Sequence, residues 1–536
     1  MRGWYTSPAA WLGVVVVLSR AMSVASDVDV VVIGGGLAGT AVLRELARRG
    51  ARAMLFERDD LCSGGSRLAL GTIDVAELSP AAGTQRELRD REARILVHAA
   101  MHLATFVPVL AIGDAVHRGK AALARWDALV ALRARSGQSD VPSVLDGSAA
   151  RAREPALVID DERATLLDRR VRVDASRLAL AYARDALEHG AEVRTKHEVR
   201  SWTAIDRGVQ VSVVDRSGAT IEVRARALVI ATGAWPEPGG APSSLARTVQ
   251  VVIDHALTTH AIVVGGESLV PFHGLSILSG RASPHVGSDV RVSRDEVRAL
   301  VQSFGRAVPE LRSARVVDTR SCVRRATNGA ETSAPLFRVA SGTPWDARAR
   351  AASVATRIAK HLGLEGELDT SALRLPGGEE AVDTFDVAER LAMPEPTARR
   401  LALRHGARTI DIGARIGRRR TEAAVVCACE PVLEAEVRHA VRAELAEDVG
   451  DVCRRTQLGL AACGGMRCAH RAAEIIGAER ALSPIEVRAI ARRFLSERWL
   501  AREPGLDAAS LAQEELARAR WRGASGLDDA DREHEA

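Results

Sequence analysis

The chain has 536 residues, room for about three domains, so it is more than a single small module. Apolar residues make up 47% and charged residues 27%, and Gly 44 and Pro 19 sit near the background of soluble proteins, which excludes a disordered or fibrous chain. The formal charge is only +5 and the bases are nearly all Arg, with Lys only at Lys120, Lys196 and Lys360; a nucleic-acid partner, which needs a clustered basic face, is excluded.

Residues 1–26 read as an N-terminal extension or signal-like segment. Ala9 to Leu18 is an apolar run with Arg2 before it and small residues around Ser26 after it. The run is too short to span a bilayer. Met22 opens MSVASDVDVVVIGGG, a usual lead-in to a cytoplasmic nucleotide-binding strand, so a dispensable extension on a cytoplasmic protein is expected, with export as the other reading.

Asp29 to Ile33 (DVVVI) is a buried-strand run, followed by Gly34-Gly35-Gly36-Leu37-Ala38-Gly39 and a helical pattern. Gly34 allows the tight turn, Gly36 lets the backbone approach a pyrophosphate at the helix N-terminus, and Gly39 lets helix and strand pack closely. A second strand, ARAMLFE, ends at Glu57, whose carboxylate can accept ribose hydroxyls. Ala227 to Trp235 (ALVIATGAW) is an apolar strand ending in Ala-Thr-Gly. Such a strand returns the chain to the nucleotide domain in two-domain flavoproteins, so FAD is preferred to NAD and Thr232 and Gly233 pass near it.

Between these segments, Gln85 to Leu110 reads as helical, and Val171 to His189 as a turn followed by an amphipathic helix. EVRTKHEV, VQVSVVD and TIEVRARALVIATG read as antiparallel strands. The β-branched runs Val249 to Val264 and Ala314 to Val323 suggest a substrate-domain sheet over the flavin. Arg320, Arg324 and Arg325 lie near its end, where a guanidinium can clamp a phosphate or carboxylate; a solvated Arg is the plainer alternative. His255, His260, His273 and His285 lie in or beside the sheet and read as structural.

Four of the seven cysteines fall in one C-terminal stretch, which favours a metal or cluster site in a reducing compartment over a secreted disulfide framework. Cys62, Cys322 and Cys453 are isolated, and Cys453 reads as a core thiol. Cys427-Ala428-Cys429 projects two thiols to one side, and after 33 residues Cys463-Gly464-Gly465-Met466-Arg467-Cys468 supplies two more and opens a helix. Structural zinc usually has two residues between paired cysteines, so C-x-C with C-x4-C favours [2Fe–2S], with zinc or no metal as the alternatives.

The order of FAD motif, inserted domain and cysteine domain resembles the A-subunit family of anaerobic glycerol-3-phosphate dehydrogenases, from about Asp27 to Trp521. VVCACEPVLEAEVRHAVR, CRRTQLGLAACGGMRCAHRAAEII and FLSERW are similar to its bacterioferritin-associated-ferredoxin-type [2Fe–2S] domain; RHGARTIDIG, LPGG at Leu375 and CVRRA are further landmarks. The resemblance implies an α/β fold: an FAD-binding Rossmann-type domain with an inserted antiparallel-sheet substrate domain over 27–365, a connecting segment over 366–420, a small helical [2Fe–2S] domain over 421–480 and a helical segment over 481–536. It implies FAD on Gly34, Gly36, Gly39, Glu57, Thr232 and Gly233, a small anionic substrate on Arg324, and the cluster on Cys427, Cys429, Cys463 and Cys468. It further implies partner electron-transfer subunits, a quinone pool, and a cytoplasmic protein in peripheral contact with the inner membrane face. The family's flavin-side His and Tyr are replaced in LCSGGSRLALGTIDVAEL, and its Thr-Gly-Gly-Lys in VASGTPWDARARAAS. The expected activity is hydride transfer from a glycerol-3-phosphate-like alcohol to FAD; the alternatives are an amine or amino-acid (opine-type) oxidoreductase and a non-catalytic electron relay.

Overall fold

The computed structural model describes residues 26–68, 70–73, 84–113, 120–135, 142–237, 244–286, 290–325, 334–339, 342–364 and 368–524, so the N-terminal extension lies outside the described residues. Ser26–Ile33 is the hub of a seven-stranded sheet, pairing in parallel with Ala53–Phe56 on one side and Thr220–Ile230 on the other. The other edge of the strand Thr220–Ile230 serves two neighbours. Its first half pairs antiparallel with Gly208–Asp215, and its last three residues pair in parallel with Leu336–Arg338. Its side chains follow that division: burial alternates at the start, where one face is wet, and is unbroken from Ala227 to Ile230, where layers cover both faces. The helix Leu37–Ala47 lies on this sheet, and its Ala41, Leu43 and Leu46 share a core with Leu178, Ala179 and Tyr182 of the helix Ala175–Glu188 and Ala351, Val354 and Ile358 of Ala347–Leu362.

A ten-stranded mixed sheet forms the second layer. Leu245–Ile253 runs antiparallel to Val316–Arg325, Leu275–Ser279 and Ser283–His285, as the β-branched runs predict. Two expectations need correcting. The helix expected over Gln85 to Leu110 ends at Ala99, and Ala104–Ile112 is a strand paired along its length with Thr165–Asp174. Pro108 cannot donate in a helix interior; in the strand it stands just before Val109–Ile112 pair with Ala261–Val264, so its missing N–H faces no partner. Likewise Val171–Asp174 is strand rather than turn, and Asp174 caps the next helix directly by accepting from the Arg177 N–H at 3.0 Å.

The C-terminal part is helical around one small hairpin, Val425–Cys427 with Val432–Leu433. The helices Thr384–Leu391, Glu395–His405 and Thr409–Arg418 fill the expected connecting segment. Leu401, Ile412 and Ile416 pack on Leu433 and Ala435, so this segment shares a core with the cysteine-bearing one. Both dock on the oxidoreductase layers. Leu460 packs among Val252, Phe272, Ile277 and Val317 on the second sheet. Asp60, wholly buried after Glu57, accepts from Arg454 at 2.7 Å and from Arg455 at 2.7 and 2.8 Å. Burial works against the Arg454 charge, yet Asp60 and Asp451 hold its pKa above the ordinary guanidinium value.

Candidate active site

Between the two sheets lies a cavity of about 690 Å³, within the range of small-molecule and cofactor sites. Gly34, Gly36, Glu57, Thr232, Gly233 and Arg324 all line it. Gly39 does not; it acts one layer back, where a Cβ would stand 2.0 Å from the Gly34 carbonyl oxygen. Gly34 has φ +106, and a Cβ there would lie 2.6 Å from the Ala231 carbonyl oxygen, so the two crossover strands meet through this glycine. Gly36 stands at the N-cap of Leu37–Ala47 with no side-chain cap, which leaves helix N–H groups facing the cavity. One of them, on Leu37, donates to the Ser66 hydroxyl at 3.0 Å.

Glu57 accepts from the Gly35 N–H at 2.7 Å and the Asp59 N–H at 2.9 Å. Burial raises its pKa and the two N–H groups pull the other way. Across the cavity, Thr232 donates to the Trp235 carbonyl at 3.0 Å, and Gly233 takes φ +64. Arg325 fastens this turn by donating to the Gly233 and Trp235 carbonyls, both at 3.0 Å, while Arg58 stacks 4.9 Å over the Trp235 ring.

The three arginines at the end of the last long strand therefore part company. Arg325 holds the turn, and Arg320 is ion-paired with Asp318, which also pairs with the buried Arg498. Arg324 alone of the three lines the cavity, exposed and without an ion pair among the described residues. None of His255, His260, His273 or His285 is among the described lining residues. His255 pairs with Asp254 at 2.7 Å and His260 with Glu154 at 3.3 Å, while burial and nearby arginines push the His273 pKa well down.

Sequence reasoning missed Ser66 and the polar floor of Thr248, Gln250, Ser268 and Ser279. Gln250 and Ser279 are register partners in adjacent strands, and Gln250 donates to the Ser279 hydroxyl at 2.9 Å. Small residues around Ser63 to Ser66 were the available signal for a close backbone approach.

The four C-terminal cysteines gather at one end of the helical part. Gly464 and Gly465 take φ +60 and +87, and a Cβ on Gly465 would stand 2.6 Å from Phe494, so the loop closes only with glycine. The sulfurs fall into two pairs: Cys429 with Cys463 at 3.9 Å, and Cys427 hydrogen-bonded to Cys468. The Cys468 hydrogen bond is the main cause that brings the Cys427 pKa down to about 6. Burial opposes it, and the Gly459, Glu430 and Cys429 N–H groups assist. The pKa of Cys468 rises in turn.

Among the described residues, one set of three His, Cys, Asp or Glu ligand atoms lies within 4.8 Å of one another: His405, His439 and Glu444. Arg177 already occupies it, donating to Glu444 at 2.8 and 3.0 Å and meeting His405 Nδ1 at 3.4 Å, so a cation there would face a fixed guanidinium.

A Gly-turn nucleotide layer, an opposed mixed sheet and the cavity between them define a dinucleotide-dependent oxidoreductase. A family model described as FAD dependent oxidoreductase matches residues 29–348, more than half of the chain, and one described as C-terminal domain of alpha-glycerophosphate oxidase matches 368–486. The chain belongs to the FAD-dependent oxidoreductase family, and FAD is its cofactor. In sequence it is similar to the A-subunit of the anaerobic glycerol-3-phosphate dehydrogenase of Escherichia coli (strain K12), 26% identical over 93% of this chain and 97% of that one. In fold it is similar to the glycerol-3-phosphate dehydrogenase from Bacillus halodurans complexed with FAD, with TM-score 0.72 at 18% identity over 90% of this chain and 96% of that one. Glycine oxidase from Geobacillus kaustophilus gives TM-score 0.52 at 22% identity, over 65% of this chain and 98% of that one. No helix among the described residues is long and apolar enough to cross a membrane.

Proposed function

We propose that the chain oxidises a small anionic secondary alcohol of the glycerol-3-phosphate type and passes the electrons out through a [2Fe–2S] cluster on Cys427, Cys429, Cys463 and Cys468. The observation that carries the substrate reading is Arg324. Of the three arginines at this strand end, two are committed to Asp318 or to backbone carbonyls and Arg324 is the one left facing the cavity, whose wall also carries Arg58, Arg89, Arg200 and Arg350.

FAD, when bound, supplies the acceptor for a hydride from the substrate carbon. Gly34 and Gly36 leave room for its pyrophosphate against the helix N-terminus, Glu57 stands where a ribose would present hydroxyls, and the Thr232–Gly233 turn forms the opposite wall. Arg324 then orients the substrate by its anionic group, and the Thr248, Gln250, Ser268 and Ser279 floor offers hydroxyl and amide partners to its polar end. Replacing Arg324 with Gln should raise KM for glycerol-3-phosphate on the order of 10- to 100-fold while leaving the flavin bound; steady-state kinetics with a flavin count checks both. An unchanged KM would remove Arg324 from the substrate site.

The cluster reading rests on the two sulfur pairs. One tetrahedral zinc holds all four sulfurs about equally close to one another, whereas no three of these sulfurs belong to a set within 4.8 Å. Two pairs suit two irons with two thiolates each. When bound, the cluster would supply single-electron transfer, the form needed by partner electron-transfer subunits and a quinone pool, and a cytoplasmic chain in peripheral contact with the inner membrane face fits this role.

The deciding experiment is an anaerobic visible spectrum of the purified protein before and after glycerol-3-phosphate, repeated on Cys463→Ser. Flavin and iron–sulfur bands that bleach with substrate support the whole reading, and Cys463→Ser should lose the cluster bands and keep the flavin. Bands that bleach only with an amino acid transfer the site to amine chemistry, with Arg324 holding a carboxylate. Bands that respond to no substrate leave an electron relay.

A further inference from the structure

We propose that the shallow groove beside the Cys463–Cys468 loop, between the helices Pro484–Arg502 and Ala508–Ala524, docks an acidic protein that accepts single electrons; this rests on the cluster reading above. Gly464 and Met466 form one wall, and Arg492, Trp499, Arg518 and Trp521 line the rest. Cys429, the exposed thiol of the four, lies 3.9 Å from Cys463, so a protein seated here approaches the cluster edge directly.

Charge selects the occupant. In this domain most arginines are neutralised: Arg438 and Arg442 by Glu479, Arg480 by Glu447, Arg498 by Asp318 and Arg502 by Glu514. Arg467 in the cysteine loop and Arg492 have no carboxylate partner among the described residues, and Arg518 has no ion pair within 4 Å there. Arg518 is instead stacked 4.8 Å from the Trp499 ring; burial is the main cause that lowers its pKa, with Arg522 adding to it and Glu515 opposing. Most acids nearby are already engaged, Glu514 by Arg315 and Arg502, Glu474 by Arg471 and Glu497 by Arg493, while Glu515 acts on Arg518 from the same helix and leaves Arg467 and Arg492 as the uncompensated pair. Tryptophan and arginine together are the side chains most enriched where interfaces carry their binding energy. An acidic partner satisfies the cations and covers the indoles, whereas a basic one would be repelled before contact.

Each electron leaves the cluster singly. The two electrons held by the reduced flavin therefore reduce two acceptor molecules, one ferric haem to ferrous in each when the acceptor is a haem protein.

The test uses holoenzyme reduced stoichiometrically with dithionite and two probes, acidic cytochrome b5 and basic cytochrome c, in stopped flow at low ionic strength. Binding of cytochrome b5 is measured separately on immobilised probe. The acidic protein should be reduced about 10-fold faster than the basic one, and the gap should close in high salt as the charges are screened. R467Q/R492Q should lose most of that preference and weaken binding about 10-fold, while R207Q/R224Q, exposed on the nucleotide sheet, should do neither. A preference that survives R467Q/R492Q, or equal rates for the two probes, overturns the proposal. So does tighter binding when the five acids of residues 528–535 (DDADREHE) are neutralised, because the chain's own C-terminal segment is then the occupant. Absence of iron from the protein sinks the cluster reading instead, and the binding comparison then decides the docking surface by itself.

Discussion

Gly39→Ala should yield protein without flavin. The added methyl would stand 2.0 Å from the Gly34 carbonyl oxygen, where ordinary contact begins near 3.4 Å, and the atom it meets is backbone. No rotamer relieves that contact, so the helix Leu37–Ala47 and the turn must separate by more than about 1 Å, and positioned groups lose most of their effect over such a distance. The N–H groups at Gly36 and the carboxylate of Glu57 then no longer address the same point. Gly233→Ala is the informative contrast. Its φ is +64, but nothing lies within 4 Å of the new Cβ, so it should cost about 1–2 kcal/mol of backbone strain and retain flavin. Flavin-to-protein absorbance ratios of the two purified variants check this, and a flavin-replete Gly39→Ala would show that the helix packs otherwise.

Asp60→Asn should destabilise the protein by about 3–5 kcal/mol, because removing one partner of a buried ion pair leaves the other charge uncompensated. Asp60 and Arg455 are both wholly inaccessible, and the carboxylate accepts three guanidinium hydrogen bonds. An amide keeps one acceptor but turns an N–H₂ toward the donors. By comparison, Asp29→Asn at the pair with Arg52, whose side chain is 68% exposed, should cost less than about 1 kcal/mol. Denaturant midpoints of the two variants give the comparison. Since Asp60 joins the loop that lines the flavin cavity to the cysteine-bearing part, its variant should also slow electron passage from flavin to cluster; equal midpoints would mean the two parts are held by apolar contacts such as Leu460 alone.

The residues legible in the sequence are those whose signal is contiguous. The strand, Gly34–Gly39 turn, helix and Glu57 occupy one short run, and each acts on its sequence neighbours. The Ala-Thr-Gly turn and the C-x-C and C-x4-C runs are legible for the same reason, whereas the sulfur pairing across them, Cys429 with Cys463 and Cys427 with Cys468, is not. Arg324 is harder to single out from Arg320 and Arg325 because Arg320 shares its strand face. The separating cue is Asp318, two residues before Arg320 on that face, which claims the nearer guanidinium. The strand Ala104–Ile112 is hidden behind a helical stretch, although Pro108 marks the change. Nothing local announces Asp60 against Arg455, whose partners are 395 residues apart, nor the Gln250–Ser279 floor, which exists only once two strands are in register.

The strand Thr220–Ile230, with its divided neighbours, fixes a timetable for synthesis. The nucleotide layer needs Leu336–Arg338 to flank it, so on the ribosome the layer stays open at that edge until the whole second sheet has emerged. The flavin pocket can therefore close only after its lid has been made, and cofactor capture belongs late in translation. The residues that brace it from behind, Arg454 and Arg455, arrive later still. A chain cut short anywhere before them leaves Asp60 without its counter-charges and the surface around it uncovered, a ready flag for quality control.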